Sequence, residues 1–492
     1  MKEIIVALLP ILTPVLMGTI LLFMKQWRNR KALLIYTGFG LLLTGALLIN
    51  CLRNGTKEIV LFWLLDKIPV LLKLDGLGRL FLAVVGIVWI LAGFFSFSYM
   101  KHEEKEQRYY GFYLITFGVL AGLGQSGNLV TMYAFFEFMT LASFPLVIHN
   151  QSREAIMAGL KYLFYSFFGA YMALFGLFFL CKYTTTITFT PGGCLDPELA
   201  AGHEGLLLLV AALMIIGFGV KGGMFPMHAW LPTAHPVAPA PASAVLSGII
   251  VKGGIFAILR VVYYLFGAEF LRGTWVQTLF LTLSLITVFM GSMLAFREDV
   301  LKKRLAYSTV SQLSYILFGI ALLNPVALTG SLLHLIAHAL IKSALFLCAG
   351  AIICRTGITK VSKLRGIGKK MPVTIWCFTI VSLGLIGIPP TGGFLSKWYL
   401  ATGALDSGIA GFQYAGPAIL LVSALLTAGY LLPVTIKGFF PGDDYDYTAL
   451  EKCEGDGLMT IPLVILSVLS VLLGMFPGAV MDFITAILDG LL

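Results

Sequence analysis

Residues 217–260 read GFGVKGGMFPMHAWLPTAHPVAPAPASAVLSGIIVKGGIFAILR, and the fold turns on this stretch. Lys221 and Lys252 stand in runs otherwise apolar enough to cross a bilayer, each with a glycine pair beside it. Between them lie Pro226, Pro232, Pro236, Pro239 and Pro241. A charge in hydrocarbon is costly, so it is rare and usually has a task. Non-helical backbone at membrane depth survives only where protein or trapped water satisfies it. The stretch therefore predicts a helix broken after Lys221 and a second span carrying Lys252, both facing a wet protein interior. The break at Pro226 should free a carbonyl near residues 220–222 for a cation or an ordered water.

The remainder of the chain agrees with a membrane setting. Of its 492 residues, 59% are hydrophobic and 12% charged, and the mean hydropathy is +0.93. Apolar runs recur along its whole length, about fourteen of them, each near the ~20 residues a helix needs to span. This is the pattern of an all-α integral membrane protein. The net charge of +10 does not indicate nucleic acid, because the bases lie in alternate connections and form no stripe. Their clusters are Lys25, Arg28, Arg30 and Lys31; Lys302, Lys303 and Arg304; and Lys360, Lys363, Arg365, Lys369 and Lys370. The excess of cytoplasmic Lys and Arg found in membrane proteins puts these loops inside. Both termini then lie outside a multi-pass protein of the cell membrane. The seven cysteines form no CxxC, and there is no P-loop or strand-linked GxGxxG. No metal site and no cofactor is expected on this chain. Residues 1–23 contain Pro10 and Pro14 and read as the first span, not as a removed leader. Residues 57–73, charged and interrupted by Pro69, read as an outer hairpin or interfacial segment. Residues 440–458, with Asp443, Asp444, Asp446, Glu451, Glu454 and Asp456, read as a solvated acidic cytoplasmic loop, and the tail after Pro477 as an interfacial end.

Polar residues inside the spans are the candidates for function. Glu137 is the one carboxylate deep in a span and reads as a functional acid ahead of a locally hydrogen-bonded neutral one. Asp75 and Arg79, four apart, read as an interfacial pair or anchor. Lys161 and Tyr162 read as snorkelling, and Arg260 as snorkelling or pairing at a surface. His228 and His235 stand on the proline-rich connection, where a structural role competes evenly with a functional one. Tyr307, Ser308, Thr309, Ser311, Gln312 and Ser314 give one span a polar start, fit either for relaying protons or for helix–helix hydrogen bonds. His334, His338 and Lys342 recur every four residues on one helical face. A stripe rich in cations argues for a titrating relay over interhelical contact, and over a metal site. Pro389, Pro390, Gly392 and Gly393 then break a span just before Lys397, echoing the break at Lys221. Paired interrupted helices mark internally repeated transporters, so two related units are expected.

These residues resemble the antiporter-like subunits shared by respiratory complex I, Mrp-type sodium/proton antiporters and membrane-bound energy-converting hydrogenases. The resemblance rests on FFEF around Glu137, GVKGGMFPMHAWLPTAHPVAPAPASAVLSGIIVKGG, LAYSTVSQLSY, HLIAHALIKSALF and GIPPTGGFLSKW, and covers most of residues 75–435. It implies about fourteen helices with two inverted five-helix repeats and breaks in helices 7 and 12. The implied organisation is 1–108, then a first repeat at 109–266, a second at 267–439, and 440–492 as loop, last helix and tail. It implies a pathway for H+, with Na+ as the other candidate, running through Glu137, Lys221, Lys252, His334, His338 and Lys397, which Lys342 joins as the third member of the histidine face. His228, Ser308 and Thr309 are secondary relay candidates. The implied partners are the lipid bilayer and other membrane subunits of a larger complex, including homologous antiporter-like ones. The redox centre would lie elsewhere in that complex. Length and Lys397 fit the medium-length Mrp D-type or hydrogenase type, or a complex I subunit of similar length. An Mrp antiporter without redox chemistry, and a scaffold whose pathway is vestigial, are the other readings.

Overall fold

The computed structural model describes residues 2–25, 27, 29–65, 68–442, 445 and 452–491. Among these residues, sixteen longer helices carry the fold. They are α1 (Lys2–Phe23), α2 (Arg30–Asn54), α3 (Gly76–Tyr99), α4 (Glu106–Gly124), α5 (Leu129–Val147) and α6 (Arg153–Tyr183); α7 (Glu204–Lys221), α8 (Ala240–Phe266) and α9 (Trp275–Arg297); α10 (Leu301–Ala321), α11 (Pro325–Thr356), α12 (Pro372–Ile386), α13 (Gly392–Leu405), α14 (Phe412–Phe439), α15 (Gly457–Met475) and α16 (Gly478–Leu488). Among the described residues, 11 of these are long and apolar enough to cross a membrane. The other three stretches expected to span form α4, α10 and the interrupted pair α12/α13, which do not meet that measure of length and apolarity. Helix is the dictated form here, because in lipid every backbone N–H and C=O must be satisfied within its own segment.

The two innermost helices organise the packing. All of the apolar window of α8 and 89% of that of α11 lie inside the protein, whereas α1 and α14 bury only a third of theirs. Gly254 on α8 explains the closeness of α7: a Cβ there would lie 2.7 Å from Phe218 O and 2.9 Å from Lys221 Cβ. Residues 246–250 and 261–266 of α8 are π-helical, a widening often found at functional sites. Side-chain caps fix many helix starts, among them Asp75 on Gly78 N, Asn128 on Thr131 N, Asn324 on Ala327 N and Asp456 on Met459 N.

Several expectations change. The chain is not purely helical: Thr56–Leu65 and Ile68–Leu74 pair as an antiparallel hairpin, β1 and β2. Of the two readings for the stretch around Pro69, hairpin or interfacial segment, the hairpin is found, with Pro69 in β2 opposite Trp63. Asp443, Asp444, Asp446 and Glu451 lie outside the described residues, as does Arg28. The rest of that acidic loop is not simply solvated. Glu454 accepts from Val373 N (2.8 Å) and Thr374 Oγ1 (2.5 Å), capping the start of α12. Asp456 accepts from Ser98 Oγ at 2.7 Å. Lys302, read as part of a cytoplasmic basic cluster, is buried and donates to the carbonyls of Pro236 (3.2 Å) and Ala238 (2.5 Å).

Candidate functional site

The first break forms where α7 ends on Lys221 and Gly223 turns the chain at φ +70°. The backbone then runs irregularly to the short helix Leu231–Val237. The freed carbonyl is not left to a cation or water: Val220 O accepts from the Trp230 indole at 2.8 Å. The buried Lys221 ammonium donates to Thr140 Oγ1 (2.8 Å), Tyr162 OH (2.7 Å) and Ser166 Oγ (3.2 Å). Three donors thus meet three hydroxyls. The same ammonium lies 4.4 Å from the Tyr162 ring centroid and 5.7 Å from that of Phe136. Tyr162 therefore does not snorkel. It is buried, and its hydroxyl also contacts Ser143 Oγ at 2.7 Å.

Glu137 stands one turn before Thr140 on the same face of α5. Its Oε1 is buried and has no hydrogen-bond partner. Among the described residues there are five ion pairs, and Glu137 with Lys221 is not one of them. The structure thus brings Glu137 and Lys221 into one neighbourhood, with hydroxyls rather than the carboxylate holding the ammonium.

A second polar group runs through α8, α10 and α11, and no hydrogen bond among the described residues joins it to Lys221. Lys252 donates to Ser247 O at 2.6 Å, across the π-helical turn. Ser247 Oγ contacts Thr309 Oγ1 at 2.8 Å. Lys342 donates to Ser308 Oγ (2.6 Å) and Leu305 O (3.1 Å), and Ser308 contacts Tyr430 OH at 2.6 Å. The polar start of α10 therefore bridges the lysine of α8 and that of α11, so both Ser308 and Thr309 lie in the network. His338 and His334 stack at 5.8 Å, and His334 stacks on Tyr315 at 5.5 Å. Lys397 Nζ lies 4.9 Å from the Tyr315 ring centroid, which closes the line.

The second break is built differently from the first. Gly387 ends α12 at φ +95°, and a Cβ there would lie 3.0 Å from Lys397 Cδ. Lys397 lies across this space and itself donates to the freed carbonyls Leu385 O (2.6 Å) and Ile386 O (3.0 Å). A cation at a helix C-terminus is favourably placed. Ser396, its neighbour, contacts His334 Nδ1 at 2.8 Å.

Both ring nitrogens of His338 and Nε2 of His334 on this line are buried without a hydrogen-bond partner, as are both amide atoms of Gln312 on α10. Such atoms are normally hydrogen-bonded, commonly to buried water. His228 is set apart from the line. It is half-buried and stacks on Phe225, with ring centroids 6.1 Å apart. Its buried Nδ1 has no hydrogen-bond partner. No group of His, Cys, Asp and Glu suited to a metal occurs among the described residues.

Sequence reasoning missed one buried ion pair. Arg260, 1% exposed, forks onto both carboxylate oxygens of Asp75, with Nη2 to Oδ1 at 2.7 Å. Phe189, Phe256 and Tyr264 surround the guanidinium at 4.7, 4.9 and 4.5 Å. Asp75 therefore pairs with α8, not with Arg79 one turn away.

Comparison with known proteins accords with this geometry. Residues 126–427 match the family model described as NADH:quinone oxidoreductase/Mrp antiporter, TM. Residues 66–110 match that described as NADH-Ubiquinone oxidoreductase (complex I), chain 5 N-terminus. The chain is 32% identical over 417 residues to the N-type subunit of the NADH-quinone oxidoreductase of Desulforudis audaxviator, covering 82% of each. It is 28% identical over 473 residues to the D-type subunit of the Na(+)/H(+) antiporter of Bacillus subtilis, covering 95% of this chain and 93% of that one. Its fold superposes on a chain of the Mrp complex from Dietzia sp. with a TM-score of 0.84 at 23% identity, over 98% of this chain and 96% of that one.

Proposed function

Given that this chain belongs to the NADH:quinone oxidoreductase/Mrp antiporter family of transmembrane subunits, we propose that it translocates protons as one subunit of a larger membrane complex. The observation that carries this reading is the line of protonatable side chains from Lys221 through Lys252, Lys342, His338 and His334 to Lys397. It threads both helix breaks, and its inner members are buried. The redox or exchange chemistry belongs to other subunits.

The physical basis is electrostatic. Two unit charges 4 Å apart interact by about 4 kcal/mol at an effective dielectric near 20. A change of about 1.4 kcal/mol shifts a protonation equilibrium tenfold. An anionic Glu137 swinging onto Lys221 would replace hydroxyl contacts with a charge pair and alter the field at Lys252. The disturbance would pass to Lys342 through the Ser247 carbonyl and hydroxyl, Thr309 Oγ1 and the carbonyl of Leu305, which both Thr309 and Lys342 share. It would then pass over His338 and His334 to Lys397. Neutral imidazole gives and takes protons near neutral pH, which suits it to the bridging position. Water bonded to the unpartnered atoms of Gln312, His334 and His338 would complete the contacts.

Both termini on the outer side, and two related units at 109–266 and 267–439, are part of the same proposal. So is the bridging role of Ser308 and Thr309. A second reading has support of its own. The Bacillus subtilis antiporter relative aligns over 95% of this chain, against 82% for the quinone oxidoreductase relative. That favours an Mrp-type host exchanging Na+ for H+ without redox chemistry. Iron–sulfur partners co-purifying with the chain would decide for the first host, and their absence beside Mrp subunits for the second. The translocation reading is tested by Glu137→Ala in the reconstituted complex. Loss of coupled proton movement with assembly intact is expected, and unchanged transport would sink the proposal.

A further inference from the structure

A second polar feature lies far from the proton line. A cavity of about 650 Å³ opens between α1, α2, the start of β1 and α3, lined by Glu3, Val6, Asn50, Asn54, Gly55, Lys57 and Arg79. Arg79 is its unusual member. The carboxylate one turn before it, Asp75, has both oxygens taken by Arg260. Arg79 therefore has no ion-pair partner among the described residues, and its buried Nε has no hydrogen-bond partner. Gly55, at φ +65°, leaves the space the guanidinium occupies: a Cβ there would lie 2.3 Å from Arg79 Nη2. Lys57 adds a second cation without an ion pair among the described residues, against the single carboxylate of Glu3. Asn50 Oδ1 is occupied by Asn54 Nδ2 at 2.8 Å, which leaves the Asn50 amide N–H groups for a ligand.

We propose that this cavity binds the phosphate group of an anionic phospholipid, with Arg79 as the principal contact and Lys57 and Asn50 as supporting ones. A guanidinium offers a fork of N–H donors matched to phosphate oxygens and needs such a partner where water is scarce. The surroundings fit acyl chains. The helices walling the cavity run from it with exposed apolar side chains, Ile5, Leu9 and Leu12 on α1 and Ile49, Leu42 and Phe39 on α2. A free phosphate ion shares the headgroup chemistry but would make no use of that apolar path.

The test is native mass spectrometry of the purified complex after exchange into a mixture of phosphatidylglycerol and phosphatidylcholine. The wild-type chain should retain one more phosphatidylglycerol than Arg79→Gln. Lys57→Gln should bind about tenfold more weakly than wild type, whereas Lys161→Gln, at a remote site, should equal wild type. Arg79→Lys, which keeps the charge but loses the fork, should fall between wild type and Arg79→Gln. A parallel arm adds inorganic phosphate in excess to the lipid-loaded complex. Retention of the lipid is expected. Displacement by phosphate would overturn the lipid assignment, and so would equal lipid retention in wild type and Arg79→Gln. A crosslink from position 79 to a carboxylate of a neighbouring subunit would overturn it as well.

Discussion

The Arg260–Asp75 pair offers the sharpest stability prediction. Arg260→Met removes a guanidinium that is 1% exposed and leaves a carboxylate that is 24% exposed. Breaking one side of a buried pair costs about 3–5 kcal/mol, chiefly because the remaining charge is stranded. Asp75 keeps its bond from Gly78 N at 2.9 Å and some solvent, which lowers the expectation to about 2–4 kcal/mol. Loss of packing against Phe189, Phe256 and Tyr264 is limited, since the methionine chain still fills much of the ring cage. Asp75→Asn on the Arg260→Met background removes the stranded charge and retains a competent helix cap. It should recover at least half of the loss, a coupling of about 1–2 kcal/mol. The assay is equilibrium unfolding of the four proteins of this cycle in mixed micelles. A single-mutant loss below about 1 kcal/mol, or strictly additive losses, would refute the reasoning that the pair is buried and mutually dependent.

Three other perturbations probe different parts of the molecule. Tyr162→Phe leaves Lys221 with two hydroxyl acceptors and should slow proton uptake by the reconstituted complex about tenfold, through loss of a hydrogen bond to a charged group. Gly387→Ala must hold φ +95° and push against Lys397 Cδ, costing about 1–2 kcal/mol. Its signature is impaired proton uptake at normal complex assembly. His149, buried at the α5–α6 turn, has its imidazole pushed down to about 4 by burial and by Arg108. In the unfolded chain it titrates near 6.5, so its contribution is whole above pH ~6.5 and is lost as the pH falls toward 4, by about 3 kcal/mol. His149→Gln keeps a donor for Glu104 O and should flatten the acid limb of the unfolding curve between those pH values.

What sequence reasoning could reach follows from the chemistry of rare events. A lysine in an apolar span, or proline and glycine interrupting one, is costly enough to be conspicuous, so Lys221, Lys252, Lys342, Lys397 and both breaks were legible. The hydroxyl cradle was not. Thr140, Tyr162 and Ser166 come from two helices, and serine, threonine and tyrosine occur in membrane helices for many reasons. The hold of Trp230 on Val220 O also escaped, because the freed carbonyl predicted by Pro226 does not announce which donor will reach it. Asp75 was assigned to its sequence neighbour Arg79, whereas its partner lies 185 residues away on α8. Spacing along a helix reports faces, and pairing across the bundle depends on packing that only the assembled helices define.

The central claim is that protons pass along the line joining Lys221 to Lys397, with Lys252 as its buried midpoint. The most direct measurement compares proton movement per turnover in vesicles holding the wild-type complex or its Lys252→Met variant. Assembly is checked by subunit content. Because Lys252 is 1% exposed and its ammonium makes a single hydrogen bond to Ser247 O, the substitution removes the protonatable group at small cost to packing. An assembled variant complex is expected to lose this subunit's share of proton movement. Full wild-type proton movement in the Lys252→Met complex would contradict the claim.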